Sequence, residues 1–174
     1  MENTRDLGII RELARRYAEI AAQPIQDERR RLWRDHNSLI RTRPLIYVRW
    51  LAAWNEHPDA LPQCEDPFWH GHETFLRQMI FQDSIGDDTI VEPWITQRAS
   101  VVTPPGGVWG VPYGCVPADR PGGAWKNDPP IKEPEDLAKL VQPHHIIDEE
   151  ATQRNVARLR EAVGDILTVE VDRS

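Results

Sequence analysis

The stretch from Pro130 to Ser174 constrains the fold most. It runs PIKEPEDLAKL, then DEEATQRNVARLREAVGD, then ILTVEVDRS. The first piece predicts a short capped helix with Glu133 and Pro134 at its mouth. The second predicts an amphipathic helix with Val156, Leu159, Ala162 and Val163 on one stripe. Gly164 stands where a helix commonly ends. The third piece is β-branched at Ile166, Val169 and Val171 and predicts a strand. Helix, glycine and apolar strand form the αβ half of a parallel-sheet unit. Such a strand is ordinarily followed by a crossover and another strand. The expectation is therefore a portion of a larger barrel or sheet, short of the roughly 250 residues of a complete (β/α)8 barrel.

Upstream, helical spacing of Ile9, Ile10, Leu13, Tyr17 and Ile20 predicts a first helix, capped by Asn3 or Thr4 and broken by Pro24. A polar helix over about 26–40 follows, anchored by Leu32, Trp33 and Leu39. Its alternating acids and arginines suit a solvated face rather than a phosphate or RNA patch. Residues 45–50, LIYVRW after Pro44, read as a strand apolar on both faces. Arg49 is the exception. A charge late on a buried strand needs a partner or a ligand, and the late end of such strands faces the ligand crevice.

Asp66 caps a predicted helix to about residue 82, with Phe68, Trp69, His72, Leu76, Met79 and Ile80 towards the core. His70 and His72 are two apart and do not share a helix face, which is poor metal geometry. Residues 89–95, TIVEPWI, read as a second strand that ends or bends at Pro93. Glu92 is its carboxylate counterpart to Arg49. Residues 96–129 are rich in turns and predict an irregular excursion, either antiparallel and hairpin-like or a long lid-like loop. No lysine–serine pair or helix start follows Gly107, so the glycine pairs are not a phosphate-binding loop. His144 and His145 fall in a loop between helices.

The net charge of −7 argues against a general nucleic-acid or membrane-surface binder. No apolar run reaches the roughly 18 residues of a membrane span. Cys64 and Cys115 lie far apart and read as free thiols of a reducing, cytoplasmic protein. Seven tryptophans exceed what one compact core needs and point to pockets or interfaces.

The ordered set of pieces resembles the N-terminal half of the uroporphyrinogen decarboxylase-like superfamily, which includes corrinoid methyltransferases. The resemblance rests on Pro44–Leu45–Ile46–Tyr47–Val48–Arg49, on residues 86–95, on Gly114–Cys115, on Pro130–Ile131 with Glu135–Asp136–Leu137 and Leu140, and on residues 148–171. It implies a partial (β/α)8 TIM barrel of about three parallel strands, with residues 1–42 as an N-terminal helical extension and residues 43–174 as the barrel portion. It also implies a small organic or tetrapyrrole-related substrate at the late ends of the strands. Arg49 would anchor a polar or anionic group, Glu92 would serve as the catalytic acid or base, and Trp50, Trp54 and Trp94 would form apolar walls. Two departures stand out. Trp50–Leu51–Ala52–Ala53 follows Arg49 where decarboxylases carry Gln-Ala-Gly-Arg, and Trp94 occupies the position of their substrate aspartate. The residue set of porphyrinogen decarboxylation is thus incomplete, which points to the methyltransferase-related or uncharacterised branch. The zinc ligands of that branch lie in the barrel's second half, so no metal ligand and no cofactor is assigned here. Three strands leave a barrel open. No turnover is expected from these residues alone. A partner chain or a homo-oligomer completing the barrel is the alternative, with the chain as a non-catalytic binding or assembly subunit.

Overall fold

The computed structural model describes residues 3–120, 123–143 and 146–174. The expectation placed on His144 and His145 lies outside the described residues. In chain order the elements are α1 (Thr4–Ala21), α2 (Pro24–Asn37), a 3-10 turn (Leu51–Glu56), α3 (Pro67–Ile85), β1 (Trp94–Arg98), β2 (Val101–Val102), β3 (Gly114–Val116), β4 (Lys126–Asp128), a second 3-10 turn (Pro134–Lys139), β5 (Ile146–Ile147), α4 (Glu149–Val163) and β6 (Thr168–Asp172). Helix and strand are mixed. The strands form three two-stranded ladders, β1 with β6, β2 with β5 and β3 with β4. Among the described residues no array of barrel strands is formed. No helix is long and apolar enough to cross a membrane among them.

The chain divides into two compact units, residues 1–97 with 154–174, and residues 98–153. This division differs from a boundary at residue 42, because α1 supplies the core of the first unit. Ile10, Leu13, Ala14 and Tyr17 recur at helical spacing and are all buried. They join Trp69 and Leu76 of α3, Val91, Ile95, Leu167 and Val169 around one cluster. The predicted α4 stripe of Val156, Leu159, Ala162 and Val163 completes it, and all four are buried.

The helix boundaries follow from side-chain caps. Asn3 accepts from the Arg5 N–H at 3.0 Å, and Asp66 accepts from the Phe68 N–H at 2.9 Å. Gly86 closes α3 at φ 72°, a conformation that glycine adopts without strain. Gly164 follows α4 for another reason: a Cβ there would lie 2.5 Å from the Arg160 carbonyl oxygen.

Buried polar groups tie the helix starts together. Asp6 is fully buried on α1 and accepts from the backbone N–H groups of Glu65 and Asp66 at 3.0–3.2 Å. Glu73 is fully buried on α3. It accepts from the Gln63 and Cys64 N–H groups at 2.9 Å and from Arg77 Nε at 2.8 Å.

Two predicted strands are not strands, for a common reason. Residues 45–50 run beside the end of α3, but side chains rather than a neighbouring strand hold their backbone. The Ile46 N–H donates to Asp88 Oδ2 at 2.8 Å and the Val48 N–H to Asp87 Oδ2 at 2.7 Å. Gln82 Nε2 donates to the Val48 carbonyl at 3.1 Å, and the Asp88 N–H donates to the Ile46 carbonyl at 2.8 Å. Residues 89–93 are treated alike. The Val91 N–H donates to the buried Gln26 Oε1 at 2.9 Å, and Pro93 has no N–H to give. The ladder therefore begins after Pro93, at Trp94, and its partner is β6.

In the second unit the excursion is antiparallel, one of the two expected forms. Val101 pairs with Ile147, and Cys115 with Asn127. Among the described residues of this unit only Ala99 and Thr152 are buried, whereas Trp109, Tyr113 and Trp125 are 56%, 64% and 68% exposed. The helix predicted over 130–140 is a 3-10 turn. Asp136 Oδ2 accepts from the Lys132 and Glu133 N–H groups, and Lys139 holds the other oxygen at 2.6 Å.

Cys64 and Cys115 are both free thiols. Burial pushes the Cys64 thiol up to about 12, with the hydrogen bond to the Glu73 carboxylate adding to the effect. One fast equivalent of thiol reagent per native chain is expected, at exposed Cys115, with the second reacting only on unfolding. Two fast equivalents would contradict the burial of Cys64.

Candidate functional site

The extended segment 45–50, the end of α3 and the 3-10 turn enclose a cavity of about 480 Å³. The segment contributes Tyr47, Val48, Arg49 and Trp50. Gln78, Met79 and Gln82 come from α3, Asn55 from the 3-10 turn, and Thr89 from the residues just after Asp88. All lie in the first compact unit.

Gln82 organises the inner wall. It is 4% exposed, and its side chain is fully engaged. Nε2 donates to Asp87 Oδ2 at 2.6 Å and to Thr89 Oγ1 at 3.2 Å, as well as to the Val48 carbonyl, while Oε1 accepts from Trp50 Nε1. Each partner belongs to a different stretch, so one amide fixes Trp50, Val48 and Thr89 around the opening. Asp88 braces the same segment from outside through two hydrogen bonds to Arg43, at 2.6 and 2.8 Å. The Arg43 guanidinium, helped by the Ile46 N–H against the opposing effect of burial, holds the Asp88 carboxyl down at about 2. Its folded value lies below its unfolded one, so its contribution is complete above about pH 4 and is lost as pH falls towards about 2.

Arg49 is exposed, borders the cavity, and makes no ion pair or side-chain hydrogen bond among the described residues. Trp50 forms a wall and continues into an aromatic group. Its ring lies 5.2 Å from that of Trp54, which stacks on His57 at 4.8 Å and 9°. Trp54 is 4% exposed and lines neither this cavity nor its neighbour. Its Nε1 is the sole buried side-chain polar atom without a hydrogen-bond partner among the described residues.

Arg49 and Trp50 are thus brought together, with Trp54 behind them. Glu92 and Trp94 are not in this group. The Glu92 carboxylate takes 2.8 and 3.0 Å hydrogen bonds from Arg30 of α2, and Trp94 lies at the start of β1, 40% exposed. The counterpart that sequence reasoning assigned to Arg49 is therefore engaged elsewhere, and no carboxylate lines the cavity. Gln82, Gln78, Asn55 and Thr89 went unnoticed. The signal for Gln82 was present as an amide on the apolar side of α3, followed five residues later by two consecutive aspartates.

His70 Nε2–H donates to the Cys64 carbonyl at 2.9 Å, and His72 Nε2 meets Gln97 Oε1 at 3.0 Å. No group of three metal-ligating side chains occurs among the described residues.

Chemically the cavity offers a free guanidinium, two aromatic faces, neutral amides and the hydroxyls of Tyr47 and Thr89. It can pair an acidic group and stack a flat ring. No protein-family model, curated protein or solved structure matches the chain.

Proposed function

We propose that the chain is the N-terminal portion of a uroporphyrinogen decarboxylase-like barrel protein of the methyltransferase-related or uncharacterised branch. Its Arg49 cavity then anchors the carboxylate of a small organic or tetrapyrrole-related substrate. The observation that carries this reading is an unpaired Arg49 on a cavity of about 480 Å³ walled by Tyr47 and Trp50. A guanidinium left without a protein partner beside aromatic walls suits a flat carboxylate. The order of sequence pieces from Thr42 onward supports the family. The absence of a lining carboxylate favours anchoring over acid–base chemistry at this spot, so Glu92 keeps a catalytic role in this proposal only through residues of the wider barrel.

Arg49→Ala is expected to weaken binding of aromatic or pyrrole carboxylates by about tenfold to a hundredfold. Its melting temperature should stay within a few degrees of the parent, because the side chain holds nothing else in place. Calorimetric titration of a carboxylate panel beside a thermal melt checks both. Equal loss of binding and stability would sink the anchoring role.

A second reading is supported by the unit of residues 98–153. Its exposed Trp109, Tyr113 and Trp125 suit a non-catalytic subunit that pairs with a partner chain supplying further strands. Sedimentation that shows association with rising concentration, reversed by Trp125→Ser, would favour this second reading.

A further inference from the structure

A second cavity of about 280 Å³ lies between α1, the end of the first 3-10 turn and α3. Its polar lining is Arg16, Arg77, His57, Asp59 and Ser84, over apolar Leu13, Ile80 and Phe81. We propose that it is a binding site for a small oxyanion of the phosphate class, free or as the head group of a phosphomonoester.

Arg77 carries the argument. Its side chain is 14% exposed, and Nε is committed to the fully buried Glu73 at 2.8 Å. Glu73 is itself clamped by the Gln63 and Cys64 N–H groups, so the guanidinium plane is fixed. Its two terminal nitrogens make no hydrogen bond to protein among the described residues. A largely buried cation with a pre-oriented, unused fork is built for two oxygens of one anion. Arg16 reaches the same cavity from α1 and likewise has no protein partner among the described residues.

The remaining groups refine the donor set. His57 Nδ1 accepts the Asp59 N–H at 3.1 Å, so the neutral ring carries its proton on Nε2 as a third donor. The Ser84 hydroxyl donates to the Phe81 carbonyl at 2.6 Å and has only acceptor capacity left. Asp59 opposes an anion, but its side chain is 56% exposed at the rim. Solvent screens it more than it screens Arg77. The volume exceeds that of a bare phosphate, and the space beside Leu13, Ile80 and Phe81 leaves room for a short ester group.

Inorganic phosphate and glycerol phosphate are titrated separately into the full chain at low ionic strength, with Arg16→Gln, Arg77→Lys and Arg34→Gln. Arg34→Gln removes one exposed charge on α2, away from the cavity. Saturable binding at one site is expected, weakened about tenfold or more by Arg16→Gln and by Arg77→Lys, and changed less than roughly twofold by Arg34→Gln. Tighter binding of glycerol phosphate marks an ester site, and equal binding marks free phosphate. Arg16 is exposed, so its substitution decides the matter should Arg77→Lys fail to fold. No saturation by about 10 mM of either probe, or equal weakening by Arg16→Gln and Arg34→Gln, would overturn the site. Neither outcome bears on the Arg49 cavity.

Discussion

Glu73→Ala is expected to lower stability by about 3–5 kcal/mol, since it breaks a buried ion pair from one side. The carboxylate is fully buried and takes three hydrogen bonds from backbone N–H groups in addition to Arg77. Removing it leaves Arg77 uncompensated and the Gln63 and Cys64 amides without acceptors. A drop in melting temperature of about 6–20 °C should follow for a chain of this size. Paired replacement, Glu73→Met with Arg77→Leu, should recover much of the loss, because neither charge is then stranded. The same group makes stability depend on acid. Burial pushes the Glu73 carboxyl up, but the Cys64 and Gln63 amides, the Cys64 thiol and Arg77 outweigh it, and the net shift is downward. A depressed folded value contributes above the unfolded carboxylate range and is lost as pH falls below it. Glu73→Ala should therefore flatten the acid limb of the stability curve. A variant that melts with the parent, or an unchanged acid limb, would contradict the role given to Glu73.

Trp69→Ala should cost a similar amount, about 3–5 kcal/mol, through lost burial and a residual cavity. Trp69 is 1% exposed and belongs to the main core cluster. Its ring packs edge-on against Phe68 at 4.6 Å, and Arg158 lies over both rings, at 4.3 and 5.0 Å. Arg158 also bonds Asp66, the cap of α3, at 2.5 Å. The substitution thus loosens the start of α3 as well as the core. Trp69→Phe should recover part of the loss and Arg158→Ala should show a smaller one, about 1 kcal/mol. Chemical denaturation of the three variants checks the order. Trp69→Ala within 1 kcal/mol of the parent would remove Trp69 from the core.

The helices were legible in the sequence because their cause is local. Asn3, Asp66 and Gly164 announce helix ends, and the stripes of α1 and α4 announce which face is buried. The last strand was legible too, since the apolar run over residues 166–171 overlaps β6, whereas the two earlier ones were not, because their cause is distant. LIYVRW and TIVEP have strand composition, yet their backbone groups are claimed by Asp87, Asp88, Gln82 and Gln26, which composition cannot reveal. Arg49 was singled out because a charge beside an apolar run is conspicuous, and it lines the cavity together with Trp50. Glu92 was matched to Arg49 on strand order, whereas the fold supplies Arg30 from a helix read as a solvated surface. The buried amide of Gln82 drew no attention, since a single glutamine on a helix is ordinarily surface.

The most direct test of the account follows the indole N–H of Trp50 by NMR while a flat carboxylate such as a pyrrole carboxylate is titrated into the full chain. Trp50 donates that proton to Gln82 at the inner wall of the cavity and stands next to Arg49. The expected result is a saturable shift of the Trp50 signal, absent with the corresponding uncharged amide and absent in Arg49→Ala. Binding that shifts the Trp109 or Trp125 signal instead, or that persists undiminished in Arg49→Ala, would contradict the assignment of the Arg49 cavity as the ligand site.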